Sequence, residues 1–144
     1  MENFTKAMQF ISKWEWMDKE DGAYTDHPQD PGGETKWGIS KKGHPDLDIK
    51  NLKKNDAYFI YYTQYWLPME CDSHEFPMAC VLFDTAVNMG VGKAKTFQEA
   101  STTLQEYFEL RTRRYLELAS RNSKLKVFRN GWLRRVNDLK KFVG

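Results

Sequence analysis

No run of apolar residues in this chain approaches the roughly 18 needed to cross a bilayer, which excludes an integral membrane span. There are two cysteines, Cys71 and Cys80, with no CxxC pair, and three scattered histidines, His27, His44 and His74. That supply lacks the spacing of a zinc site or a disulfide framework, so neither a metal nor a cofactor is expected. Two buried or idle thiols are the expectation for the cysteines, with a Cys71–Cys80 bond as the alternative. The opening Met1-Glu2-Asn3-Phe4-Thr5-Lys6 has no continuous apolar core and no small-residue cleavage site. No secretory signal is visible, and synthesis in the cytoplasm is expected. Repeats, low-complexity tracts and Pro/Ser linkers are also missing, which argues against collagen-like, coiled-coil or disordered chains.

What is present is a globular composition: 144 residues, 40% hydrophobic, 15% aromatic and 29% charged. One domain of ordinary size accommodates that length, and a monomer is expected. The net charge of +2 conceals an asymmetry. Residues 1–92 hold 9 Lys/Arg against 15 Asp/Glu, whereas residues 93–144 hold 13 against 5. A basic tail behind an acidic front suits an anionic polymer, nucleic acid or cell wall, unless its Lys/Arg faces are simply solvated.

Periodicity gives the elements. Phe4, Ala7, Met8, Ile11 and Trp14 recur at i, i+3, i+4 and i+7, the stripe of an amphipathic helix that cannot run far beyond Met17. Gly22 to Pro31 is rich in Gly, Pro and Asp and reads as turns. Glu34 to Ser40 reads as a short strand or extended segment. A second helix carries Ala57, Ile60, Tyr61 and Gln64 to Trp66 and stops at Pro68. Pro77 suits the first turn of a third, which ends at Asn88-Met89-Gly90. Gly92 to about Ser101 is a fourth. Thr102 to Ala119 is a long fifth, with Leu104, Phe108, Arg111, Tyr115 and Leu118 on one stripe. After Arg121-Asn122-Ser123, Leu125 to Val143 is the last. The fold class is mostly α in one unit, with its irregularity concentrated between residues 18 and 50.

A loop of that length in a small helical domain points to function. Asp21, Asp26, Asp30 and Glu34 lie in it, just after Glu15, among the rings of Trp14, Trp16, Tyr24 and Trp37. Carboxylates among flat rings are the equipment of sugar chemistry. One acid held neutral by apolar surroundings protonates a glycosidic oxygen, a second polar group manages water or developing charge, and rings stack on pyranose faces. The plainer reading of the same composition is a loop of Asx turns.

The order of the residues adds to this. Tyr24-Thr25-Asp26-His27-Pro28-Gln29-Asp30-Pro31-Gly32-Gly33-Glu34-Thr35-Lys36-Trp37-Gly38-Ile39 resembles the signature of glycoside hydrolase family 108, which comprises phage-type lysozymes and related muramidases once described as secretion activators. Asp56-Ala57 through Tyr65-Trp66, Phe83-Asp84-Thr85-Ala86-Val87-Asn88-Met89-Gly90, and Phe128-Arg129-Asn130-Gly131-Trp132-Leu133-Arg134-Arg135-Val136 resemble its later segments. The resemblance covers nearly the whole chain. It implies one compact lysozyme-like helical domain over 1–144, with 1–90 as the catalytic portion and 91–144 as a basic helical portion. It further implies hydrolysis of the bond between N-acetylmuramic acid and N-acetylglucosamine in bacterial peptidoglycan. With no signal visible, a holin or an exporter would have to give access to the periplasmic or extracellular wall.

Two departures stand out. The family's Glu-Gly-Gly-Tyr is interrupted here, because Trp16-Met17-Asp18-Lys19-Glu20-Asp21 separates Glu15 from Gly22-Ala23-Tyr24. Counting back from Tyr24 puts Asp21 in the acid's place; counting forward from Phe4 puts Glu15 there. Glu15 is the choice, since a helix end is a rigid mount, Trp14 and Trp16 offer apolar surroundings, and loop insertions are tolerated. Glu20 is the runner-up and Asp21 the third. The second departure is the family's extra segment after the position of Gln98, which is missing, so a dedicated wall-binding role for the tail is in question.

The remaining roles follow from the resemblance. Asp30 and Thr35 would orient a water or stabilise positive charge; the plainer readings are a turn-former before Pro31 and a strand residue. Tyr24 and Trp37 would stack on sugar rings, or else pack in the core. Asn88 would hydrogen-bond an N-acetyl group, or else cap a helix. Gly32-Gly33 would permit positive φ and close approach of the glycan. A non-catalytic wall-binding or secretion-associated module is the alternative function, and a nucleic-acid binder ranks last, since it leaves residues 18–40 without purpose.

Overall fold

A computed structural model of the chain describes residues 2–29 and 31–144. Its contacts gather into two compact units, Met1–Gln64 and Tyr65–Gly144. The described residues are mostly α-helical with one small hairpin. No helix among them is long and apolar enough to cross a membrane.

The first unit begins with α1, Glu2–Trp16. Its buried stripe holds Phe4, Ala7, Met8, Ile11, Ser12 and Trp16, with Phe10 beside it. The stripe therefore closes on Trp16, one position beyond Glu15, rather than on Trp14, which is half-buried. The helix stops because Met17 and Asp18 turn into the left-handed region, at φ 52° and 54°. Asp18 is locked there from two sides: its N–H donates to the Ser12 carbonyl at 3.1 Å, and its Oδ1 accepts from Ser12 Oγ at 2.6 Å. Trp16 to Gly22 then coils through two short backbone turns, Lys19 N–H to Trp16 O and Gly22 N–H to Lys19 O. The segment that separates Glu15 from Gly22 is thus a compact knot and does not extend the helix.

The extended segment around Thr35 is a hairpin. Strand β1, Thr35–Lys36, pairs antiparallel with β2, Ile39–Ser40, in the register Thr35↔Ser40 and Lys36↔Ile39. Thr25 adds an antiparallel bridge to Thr35. The two-residue turn is Trp37-Gly38, with φ at 55° and 74°. Positive φ at both centres is the type I′ geometry whose twist matches the strands, and Asn-Gly is its usual sequence. A tryptophan at the first position is held there by its side chain, whose indole N–H donates to the Leu52 carbonyl.

Turns from Lys41 to Leu52 bury Ile49 and Leu52 and lead to α2, Lys54–Tyr61, whose first-turn Asp56 accepts from the Lys53 N–H at 3.2 Å. The helical path continues to Trp66, as its apolar spacing predicts, but Tyr62–Trp66 is a π-helical turn.

The second unit is built on α3, Phe76–Met89, which starts with Pro77 in its first turn. Every residue from Ala79 to Ala86 is buried, so this helix is enclosed on all sides. Around it lie α4, Val91–Glu99, α5, Leu104–Arg121, and α6, Arg129–Val143. The last helix starts four residues later than its pattern predicts, because Lys126–Phe128 forms a 3-10 turn. Thr103 caps α5 by accepting from the Glu106 N–H at 3.1 Å.

One charged cluster sits in this core. Asp84 on α3 is fully buried and takes Arg111 of α5 at 2.8 Å and Arg135 of α6 at 2.7 Å. Burial alone would raise the Asp84 carboxyl, but the charges of Arg135 and then Arg111 hold it below its ordinary value. The basic tail is accordingly less of a surface feature than its letters suggest, since these two arginines serve the interior. Cys71 and Cys80 are both buried free thiols, and burial, with Asp72 nearby, pushes the Cys71 thiol up to about 12.

Candidate active site

Glu15 is the last residue but one of α1 and is half-buried. Facing it is the backbone of Gly38 in the hairpin turn. A Cβ added to Gly38 would fall 2.9 Å from Glu15 Cβ and 3.3 Å from Glu15 Oε1, and would also strike the Tyr61 hydroxyl. Only bare backbone fits between the acid and that phenol. Tyr61 in turn donates its hydroxyl to the Trp37 carbonyl at 2.8 Å, tying α2 to the turn. The carboxyl is therefore positioned by three elements: the end of α1, the hairpin turn and the end of α2.

The tryptophans divide their work. Trp16, 1% exposed, and Trp37, 6% exposed, meet edge to face at 5.6 Å. Trp16 also lies 6.3 Å from the rings of both Tyr58 and Tyr61. Trp37 donates its indole N–H to the Leu52 carbonyl at 2.8 Å and its backbone N–H to Gly22 O at 2.8 Å. Its ring occupies the space a side chain at Gly22 would need, with the Cβ position only 2.5 Å from Trp37 Cδ2. Of the two readings of Trp37, stacking on sugar or packing in the core, the core is where this ring lies. Trp14 is the aromatic neighbour of Glu15 that remains half-exposed.

Tyr24 donates its hydroxyl to Glu34 Oε2 at 2.6 Å. That carboxylate, helped by desolvation, pushes the phenol up to about 12, so Tyr24 is a neutral, half-exposed ring. The hydroxyls of Thr25 and Thr35 share a hydrogen bond at 2.9 Å across their bridge. Gly33 has the positive φ expected of it, 69°. Glu20 and Asp21, the other candidate acids, are exposed, and Asp21 Oδ1 accepts from the Ala23 N–H at 2.9 Å in a local turn. Asp30 lies outside the described residues. Asn88 belongs to the second unit, where its Oδ1 accepts from the Tyr115 hydroxyl.

The structure thus brings Glu15 to the hairpin that carries Thr35, with Tyr24 on the segment bridged to the same strand. Sequence reasoning missed Gly38, Tyr61 and Thr25. A signal for Gly38 was available, since it stands in the Thr-x-x-Gly-Ile run. For Tyr61 there was none beyond helix spacing.

A mostly helical chain whose first helix ends in a carboxylate against a small β-hairpin belongs to the lysozyme-like class. Within that class the family model for Glycosyl hydrolase 108 matches residues 14–90, more than half the chain, including the end of α1, the hairpin and α2. The protein belongs to glycosyl hydrolase family 108, and its domain is that of a glycoside hydrolase. The solved structure of Brucella abortus SagA is similar in fold, with a TM-score of 0.65 over 97% of this chain and 92% of that one at 24% sequence identity. No curated protein sequence matches the chain.

Proposed function

We propose that this protein is a muramidase, cutting the bond between N-acetylmuramic acid and N-acetylglucosamine in bacterial peptidoglycan, with Glu15 as the general acid. The observation that carries the proposal is the seat of Glu15: half-buried, on a helix end, against bare backbone at Gly38. Such a seat holds a proton donor in one position, as general-acid catalysis requires. In this reading Glu15 protonates the leaving O4. Asp30 and the Thr35 hydroxyl orient the attacking water or stabilise the developing oxocarbenium charge. Tyr24 lends a neutral ring face to a pyranose. Trp37 acts indirectly, by holding the turn that faces Glu15.

Purified wall suspensions provide the test. Glu15→Gln is expected to lower release of reducing ends by roughly 10²–10⁴-fold with an unchanged melting temperature, while Glu20→Gln and Asp21→Asn stay near the wild-type rate. A Glu15→Gln enzyme at full speed overturns the assignment of the acid. Binding of the wild type to sacculi with no reducing ends released would favour the wall-binding module instead.

A further inference from the structure

Two sequence motifs remain without a use in the site above: the Asp84-to-Gly90 run and the Phe128-to-Val136 run. In the second unit they meet. Asp84 holds Arg135. The Trp132 ring stacks on Tyr115 at 5.1 Å, and Phe128 stacks on Trp132 at 5.9 Å. Asn88, Tyr115 and Trp132, with Lys93 of α4 and Arg114 of α5, line a pocket of about 190 Å³.

The hydrogen-bond polarity of this pocket can be read outward from the core. Arg111 donates its Nε–H to the Tyr115 hydroxyl at 3.1 Å and can only donate. The phenol therefore spends an acceptor on Arg111 and gives its one proton to Asn88 Oδ1. That bond turns the Asn88 oxygen toward Tyr115 and leaves its NH₂ as a donor for a ligand. The Trp132 indole N–H and the Lys93 ammonium have no acceptor among the described residues. Arg114 has one acid nearby, Glu117 at 3.7 Å, both groups partly exposed. Behind this lining stands a buried cluster in which Asp84 holds Arg111 and Arg135.

A recess whose polar lining offers the Asn88 amide, the Trp132 indole N–H and the cations Lys93 and Arg114 selects an anion with several acceptor atoms. An aromatic wall beside it suits an anion attached to a carbon skeleton rather than a bare inorganic ion. We propose that this pocket binds a carboxylate carried by the wall glycan, either the lactyl acid of a sugar that bears no peptide or the terminal acid of a peptide. The proposal rests on the muramidase reading only for the polymer that carries the carboxylate.

The experiment compares three probes on the whole protein by ¹H–¹⁵N NMR, following the Trp132 indole peak (identified with Trp132→Phe) and the Asn88 side-chain amide. The probes are N-acetylmuramic acid, N-acetylglucosamine and D-alanyl-D-alanine. N-acetylmuramic acid and N-acetylglucosamine differ only by the lactyl acid. At least one acid is expected to shift both peaks, and the uncharged sugar to leave them in place. A shift with the sugar acid assigns the carboxylate to the sugar, and one with the dipeptide alone assigns it to the peptide. Lys93→Gln and Arg114→Gln, both at half-exposed positions, are each expected to weaken the binding roughly tenfold, and added salt to weaken it further. The proposal is overturned if neither acid shifts the peaks, if N-acetylglucosamine shifts them equally, or if the double variant binds as well as wild type. Glu15→Gln should bind the acid normally, so a failure of the muramidase reading and a failure of this pocket give different results.

Discussion

At the scale of single residues the site depends on what is left out. Gly38 has no side chain, and the Glu15 carboxyl and Tyr61 hydroxyl close in on the vacancy. Gly38→Ala must both adopt φ 74° and displace two neighbours. A loss of about 1–3 kcal/mol is expected, read as a lower melting temperature. Hydrolysis should fall more than stability does, because the displaced group is the proposed acid. An unchanged rate per folded molecule would mean that Glu15 is not held by the turn. Gly38 also marks the limit of what the sequence reveals. Glu15 was legible as the end of a helical stripe, whereas its neighbours Gly38 and Tyr61 come from positions 23 and 46 residues away, and no local pattern announces them.

Elements show the same division in another form. Helices α1 and α3 were legible, since their apolar spacing and Pro77 are local signals. The π-helical turn at Tyr62–Trp66 and the delayed start of α6 were not, because nothing local separates them from ordinary helix. Least legible was the role of Arg111 and Arg135: Arg111 stands on the stripe of its helix and Arg135 in the Phe128–Val136 run, but neither pattern names the buried Asp84 that binds them. That cluster joins α3, α5 and α6, and its worth is asymmetric. Asp84→Asn removes the buried carboxylate that Arg111 and Arg135 share, and a loss of about 3–5 kcal/mol is expected by denaturant titration. A loss below about 1 kcal/mol would show that water or rearrangement relieves the arginines.

For the molecule as a whole, the same carboxylate sets a pH limit. The Asp84 pKa is lower in the folded chain than in the unfolded one, so its contribution is fully present above the unfolded value of about 3.9. It is lost as pH falls through the folded value. Melting temperatures should therefore show an Asp84-dependent fall only below about pH 4, and the Asp84→Asn profile should be flatter in that range. A wild-type fall no steeper than that of the variant would remove Asp84 from the account of acid unfolding. Charge at this scale is also less divided than the chain order suggests. Residues 1–64 hold 9 Lys/Arg against 11 Asp/Glu, and residues 65–144 hold 13 against 9, so four of the acids in the acidic front belong to the second unit.

The two buried thiols have a practical consequence. Neither Cys71 nor Cys80 is accessible, and a thiol held near 12, as Cys71 is, supplies almost no thiolate at neutral pH. A cysteine introduced at Val127, which is 76% exposed, would then be the one handle that a maleimide dye finds. Native protein should take up one equivalent in Val127→Cys and none in wild type, counted by intact-mass spectrometry; uptake by the wild type would contradict the burial. A fluorophore attached there could report on wall binding with no need to remove the native cysteines first.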